Sequence, residues 1–322
     1  MPVFLVTFTA TVMVNTFSPA YQWPARQEPL PAAPTEFRYA EPPGIGWVRL
    51  KYRLLAAVST EWAFRSAWRL FCTPRRLPRK KWEDAALATA RAFRVPFEGG
   101  ALAAYEWNPA GRRTVLLVHG WEHRAAFWGV FADGLVRAGF RVVAFDGPAH
   151  GDSPGRMTTL PEFGRATQAV ADYLGEAWGV VGHSFGAATT AGLPVQFNRR
   201  AAGELPRLVL MSAPGSTPAV AQRFADLLAL PAAVVQRMGE YIRSQTGRDA
   251  ESFSLTQAAA RMRAARVLLL HDCQDESVPF AEARDIARSW PGIEFHPTTG
   301  LGHNRIMRDQ GVIRQVAAFL QG

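Results

Sequence analysis

Cys72 and Cys273 are the only two cysteines in 322 residues. Two thiols so far apart in the chain build neither a disulfide framework nor a cysteine-based metal site, and both are expected to be reduced. Equally missing is any charged side chain in residues 1–25. A secretory signal opens on a positively charged stretch. The apolar sequence at 3–14 therefore reads as an N-terminal extension of a cytoplasmic protein, with export through an atypical signal the less favoured reading. A membrane-spanning helix needs about 20 apolar residues. Thr7, Thr9, Thr11, Asn15 and Pro19 break this stretch too early. No internal repeat is present, which excludes solenoids and propellers.

Acidic residues are scarce in one place only. The chain carries a formal charge of +9, and residues 49–94 hold 12 Lys and Arg against Glu61, Glu83 and Asp84, while the remainder balances. A local excess of this kind does not make a nucleic-acid-binding protein, and no nucleic-acid partner is expected. Peripheral contact with a membrane surface through residues 49–94 is the partner it leaves open. Seven prolines at 19, 24, 29, 31, 34, 42 and 43 mark an extended linker. The expected organisation is a Pro-rich extension over 1–48, a basic helical segment over 49–94 and one α/β domain over 95–322. Within the basic segment, Leu50, Leu54, Val58 and Trp62 recur at spacing four and predict a helix over 49–71, with a second over 82–93.

From residue 95 the texture changes. Short apolar runs at 114–119, 141–146, 178–183, 207–212 and 267–271 alternate with amphipathic stretches such as 125–138 and 162–177. That alternation predicts a mostly parallel sheet with helices on both faces. The interval 214–263 is too long for an ordinary crossover. Its Phe224, Leu227, Leu228, Val234, Val235, Met238 and Ile242 predict an inserted helical cap, whose apolar residues are expected to pack it onto the core rather than line an acyl pocket.

The chemistry is written at 178–190, WGVVGHSFGAATT. A strand runs in, a small-residue helix runs out, and Ser184 stands between Gly182 and Gly186. A strained strand-to-helix turn of this kind exposes a serine hydroxyl, and a β-carbon at either glycine would crowd it. The hydroxyl is a weak nucleophile that needs a base, and the base needs an orienting group. His303, flanked by glycine in a loop after the last strand at 292–296, is the base. His296, inside that strand, is structural. The carboxylates sit past the strand ending at 271, where Asp272, Asp275 and Glu276 follow one another. The strand end does not choose among them, although Asp275 lies farther along the loop and Glu276 should point elsewhere if Asp275 points inward. An oxyanion hole requires two N–H donors. Phe185, directly after the nucleophile, supplies one, and Trp121, after the strand at 114–119, supplies the other, with Gly120 turning the backbone inward. His119 is expected to hold this loop by hydrogen bonding. His119 and His123 are four apart across a loop and form no metal set.

These pieces, LLVHGW at 116–121, FDGPAHGDSPG at 145–155, VGHSFGA at 181–187, HDCQDESVP at 271–279 and GLGHNR at 300–305, resemble the α/β-hydrolase-fold serine hydrolases of the esterase and lipase type. The resemblance covers residues 95–322 and implies a mostly parallel eight-stranded sheet with an inserted cap, a Ser184–Asp275–His303 triad and no cofactor. It favours Asp275 because the family places its acid shortly before Val-Pro, here Val278-Pro279. It excludes the fold's dehalogenases, which use an aspartate nucleophile.

The expected activity is hydrolysis of a small-molecule ester through an acyl-enzyme. Thioesterase, lactonase or carbon–carbon hydrolase action on the same triad is the alternative, and a non-catalytic binding scaffold is less favoured because every triad position is filled.

Overall fold

The computed structural model describes residues 41–193, 195, 206–258, 264 and 266–322. The expectations for residues 1–40, and for the cap residues 259–263, lie outside that set. Eight strands form one sheet: β1 (Arg91–Phe97), β2 (Gly100–Trp107), β3 (Thr114–Val118), β4 (Arg141–Phe145), β5 (Gly179–His183), β6 (Arg207–Met211), β7 (Val267–Asp272) and β8 (Glu294–Thr298). Their spatial order is β1-β2-β4-β3-β5-β6-β7-β8. The pairs β1–β2 and β2–β4 are antiparallel, and every pair from β4 to β8 is parallel.

The central strands show why they were readable. TVLLV and GVVGH are buried along their whole length because helices cover both faces. On one side lie α4 (Gly129–Arg137) and α11 (Gln310–Gln321), whose Phe131, Leu135, Val312 and Val316 share a core with Val115 and Leu117. On the other lie α5 (Leu160–Leu174), α6 (Phe185–Gly192) and α9 (Phe280–Ser289), whose Phe163, Ala187 and Ile286 pack against Leu116 and Val118. The short α10 (Gly302–Arg305) carries His303 after β8.

The sheet begins at Arg91, four residues before the expected domain boundary and inside the stretch predicted as helix over 82–93. That helix, α3, is shorter, Lys81–Ala88. β1 hid because it is an edge strand with arginine between its apolar residues and Pro96 within it, a pattern tolerated only at an edge. A two-residue turn with positive φ at Glu98 (42°) and Gly99 (78°) joins β1 to β2.

The predicted helix over 49–71 is two helices, α1 (Ile45–Val58) and α2 (Thr60–Phe71). Ser59 breaks it with an extended backbone, and its hydroxyl accepts from Trp62 N–H to cap the second helix. The cap contributes α7 (Thr217–Leu228) and α8 (Ala232–Thr246). Leu228, Val234 and Met238 of the cap bury against Ile45, Tyr52, Ala63, Phe64 and Ala67 of α1 and α2. The cap residues therefore serve packing, and they pack largely against the N-terminal helices.

Candidate active site

The parallel strands end together, so the loops after β3, β5, β6, β7 and β8 meet at one edge, where sheets of this kind place their sites. Ser184 follows β5 at φ 52°, ψ −118°, a strained conformation for a residue with a β-carbon. Its N–H donates to the Met211 carbonyl at the end of β6 (2.8 Å). The two flanking glycines have steric causes. A β-carbon at Gly182 would stand 2.7 Å from Ala187 Cα in α6, and one at Gly186 would collide with the Val118 carbonyl of β3. The turn closes only with glycine at both places. Gly120 has a related role, since a β-carbon there would sit 3.2 Å from Ser184 Cβ.

Asp275 and His303, 28 residues apart, are brought into contact. His303 Nδ1 lies 2.8 Å from Asp275 Oδ2 and 3.0 Å from Oδ1, with both residues buried. Nδ1 facing a carboxylate carries the proton, which leaves Nε2 of the neutral ring as a free lone pair. Asp275 Oδ1 also accepts from the N–H groups of Ser277 and Val278, each at 2.8 Å. Burial pushes the Asp275 carboxyl up, but His303, His271 and the Val278 N–H outweigh it and bring it down to about 2. The carboxylate is ionised throughout the neutral range.

Asp272 does different work. It ends β7 and accepts from Thr298 Oγ1 (2.6 Å), Leu301 N–H (3.0 Å) and Gln274 N–H (2.9 Å), bracing the loop that leads to His303. Glu276 does not point away as expected: its carboxylate accepts the backbone N–H of His303 at 3.0 Å. The His303 carbonyl is held in turn by His183 Nε2 at 2.8 Å. His183 directly precedes Ser184, so one imidazole ties the strand bearing the serine to the backbone of the base. Among the described residues no hydrogen bond joins Ser184 Oγ to His303. Such contacts are commonly loose without substrate.

Among the described residues, neither Trp121 N–H nor Phe185 N–H is spent on a protein acceptor. Phe185 opens α6, so its N–H is unused by the helix and lies at the positive end of its dipole. The Trp121 and Phe185 rings meet edge to face at 5.2 Å. The loop carrying Trp121 is clamped from three sides. His119 Nε2 accepts from Gly147 N–H (2.9 Å), so its Nδ1 donates to the Gly120 carbonyl (2.7 Å). His150 Nε2 accepts from Glu122 N–H at 3.1 Å. The Glu122 carboxylate takes the backbone N–H and guanidinium of Arg75. Burial, first of all, holds both rings neutral, His119 well below the ordinary histidine value and His150 down to about 4.

His119 thus holds the loop as its position suggested. The Arg75 clamp, His183 and Glu276 escaped the sequence reading. Arg75 and Glu122 are 47 residues apart with no local pattern to link them, whereas His183 lay in plain view between Gly182 and Ser184. The basic run at 75–81 is anchored at its arginines, while Lys80 and Lys81 stay exposed. Arg76 donates to the carbonyls of Ala149 and Gly155, each at 3.0 Å, and Arg79 pairs with Asp152 at 2.9 Å.

Comparison with known proteins agrees with this fold. Residues 115–315 match the Alpha/beta hydrolase family, and the chain belongs to it. Among solved structures, the esterase Pf2001 of Pyrococcus furiosus is similar, with TM-score 0.58 and 18% identity over 77% of this chain and 96% of that one. Est1E of Butyrivibrio proteoclasticus, solved with ferulic acid bound, gives 0.55 and 19% over 71% and 96%. A putative lipase of Acinetobacter baumannii gives 0.55 and 15% over 76% and 97%. At these identities the likeness is one of fold. No curated protein matches the chain significantly.

Proposed function

We propose that this protein is a serine hydrolase that cleaves small-molecule carboxylic esters. Ser184 Oγ attacks the ester carbonyl carbon as His303 Nε2 removes its proton. Asp275 holds the imidazole in the required tautomer and stabilises the imidazolium that forms. The oxyanion is received by the N–H groups of Trp121 and Phe185. Collapse expels the alcohol, which takes the proton from His303, and leaves an acyl group on Ser184. Water, deprotonated by His303, then attacks the acyl carbon and releases the acid and the free serine. The chemistry needs no cofactor.

One observation carries the reading: a buried, ionised Asp275 fixes His303 Nδ1 and leaves Nε2 as a base, against the strand that presents Ser184. Esterases and a lipase among the structural neighbours support ester bonds as the first class to test. Cys72 and Cys273 are both buried free thiols, which supports work in a reducing, cytoplasmic setting. The test is turnover of p-nitrophenyl esters of increasing acyl length, alongside a matching thioester series. Wild type should hydrolyse the esters and Ser184→Ala should fall to background while keeping its fold. A variant as active as wild type would overturn the assignment, and faster thioester turnover would change the bond class.

A further inference from the structure

The periodic residues that predicted a helix over 49–71 turn out to face solvent. Leu50, Leu54, Val58 and Trp62 are exposed by 40%, 61%, 73% and 60%, and Trp47, one turn before Leu50, by 78%. The face that docks is the opposite one. Ile45 and Tyr52 are buried against the cap, with Val48, Leu55 and Ala56 beside them. At 100° per residue, Trp47, Leu50, Leu54 and Val58 fall on one stripe of α1, directly across from Ile45 and Tyr52. The helix is therefore apolar on two opposite sides, of which only one is covered.

The charge on α1 identifies what covers the open face. Its charged residues are Arg49, Lys51 and Arg53, with no carboxylate among them. Arg49 is committed to Glu41 and the Leu227 carbonyl on the docked side. Lys51 and Arg53 are exposed and flank the apolar stripe. Arg65 and Arg69 are exposed on α2, and the acid there, Glu61, is paired with Arg65 and Arg237. An apolar stripe with a tryptophan, bordered by cations alone, is complementary to a surface of acyl chains beneath anionic headgroups.

We propose that the α1 face formed by Trp47, Leu50, Leu54 and Val58 docks the protein peripherally on an anionic lipid surface, with Lys51 and Arg53 contacting headgroups. The surface is α1 and its neighbour α2, because the run at 75–81 has no apolar stripe beside it and its arginines already pair with Glu122, Asp152 and the carbonyls of Ala149 and Gly155. Among the described residues no helix is long and apolar enough to cross a membrane, so the contact lies in the interface plane. It stands apart from the hydrolytic reading and is tested without substrate.

The test is flotation of the full chain with phosphatidylcholine vesicles, with and without phosphatidylglycerol, at low and high salt. Wild type should float with the anionic vesicles and release as salt rises. The exposed pair Leu50→Glu and Leu54→Glu should weaken partition about tenfold or more, the scale of losing a buried leucine. If that variant fails to fold, Lys51→Glu with Arg53→Glu, which leaves the apolar stripe untouched, should remove the preference for anionic lipid. Failure of wild type to float would overturn the proposal, as would equal binding by folded variants. Concentration-dependent self-association that the leucine variant abolishes would assign the face to a second copy instead.

Discussion

Leu116 and Leu54 are the same residue type in opposite situations: one has no exposure in the middle of β3, the other is 61% exposed on α1. The sheet around Leu116 is finished, buried on both faces and matched by the family over residues 115–315. The helices around Leu54 are half finished, since one face packs on the cap and the other presents leucine, valine and tryptophan to solvent. The difference separates two uses of apolar residues. In the sheet they fix the strand ends that bring Ser184, Asp275 and His303 to one edge, on which the proposed chemistry rests. On α1 they cover a cap on one side and leave a surface on the other.

The sharpest way to break the comparison lies at the finished end, between two aspartates three residues apart. Asp275 carries His303 and Asp272 carries only the loop. Asp275→Asn should lower turnover by about three to four orders of magnitude by spoiling imidazole orientation and charge. Asp272→Asn should leave turnover within a few-fold and cost about 1–2 kcal/mol of stability. Turnover and denaturation of both purified variants decide it, and the reverse pattern would exchange their roles.

Acid should reach the site before it reaches the appended helices. His119, His123, His150, His183 and His271 are all depressed below their ordinary value of 6.5, in each case first by burial. His150 falls to about 4 and His183 to about 3. The unfolded chain binds these protons first, so stability is full above pH 6.5 and is lost as pH falls toward 4 and 3. Asp146 acts in the opposite sense. Burial raises it to about 6 in the fold, so its contribution falls as pH rises from about 4 to 6. His296 is depressed as well and Glu162 is raised like Asp146, so six histidines against two carboxyls set the direction. Thermal unfolding should weaken by on the order of several kcal/mol between pH 7 and 4. A melting point flat over that range would contradict neutral, buried rings.

The smallest effects test the comparison itself. Leu116→Ala should cost about 2–5 kcal/mol through the cavity it leaves. Leu54→Ala in solution should stay within about 0.5 kcal/mol, as exposed substitutions do. A large loss at Leu54 would mean that this face is covered within the single chain.

The same contrast explains what could be read in advance. The central parallel strands were legible because each is a short apolar run, and Ser184 stood out because two glycines and a strand–helix junction announce it locally. His303 was expected from its loop after the last strand, whereas the choice of Asp275 over Asp272 rested on the family resemblance before Val278-Pro279. Relations across the chain were not. Spacing four from Leu50 to Trp62 runs straight through Ser59, so periodicity showed neither the break nor which face would dock. β1 was lost because Arg91 and Arg94 dilute an edge strand to a helix-like texture. The clamp of Arg75 on Glu122 joins a segment outside the family match to the loop bearing Trp121, and only the fold reveals it.

The central claim is that Ser184 is activated by His303 while the other serines are not. Treatment with a fluorophosphonate probe followed by peptide mass mapping measures this directly. Wild type should carry one adduct, on the peptide containing Ser184, and His303→Ala should label far more slowly. A folded wild-type protein that stays unlabelled at Ser184, or labels equally at another serine, would contradict the account.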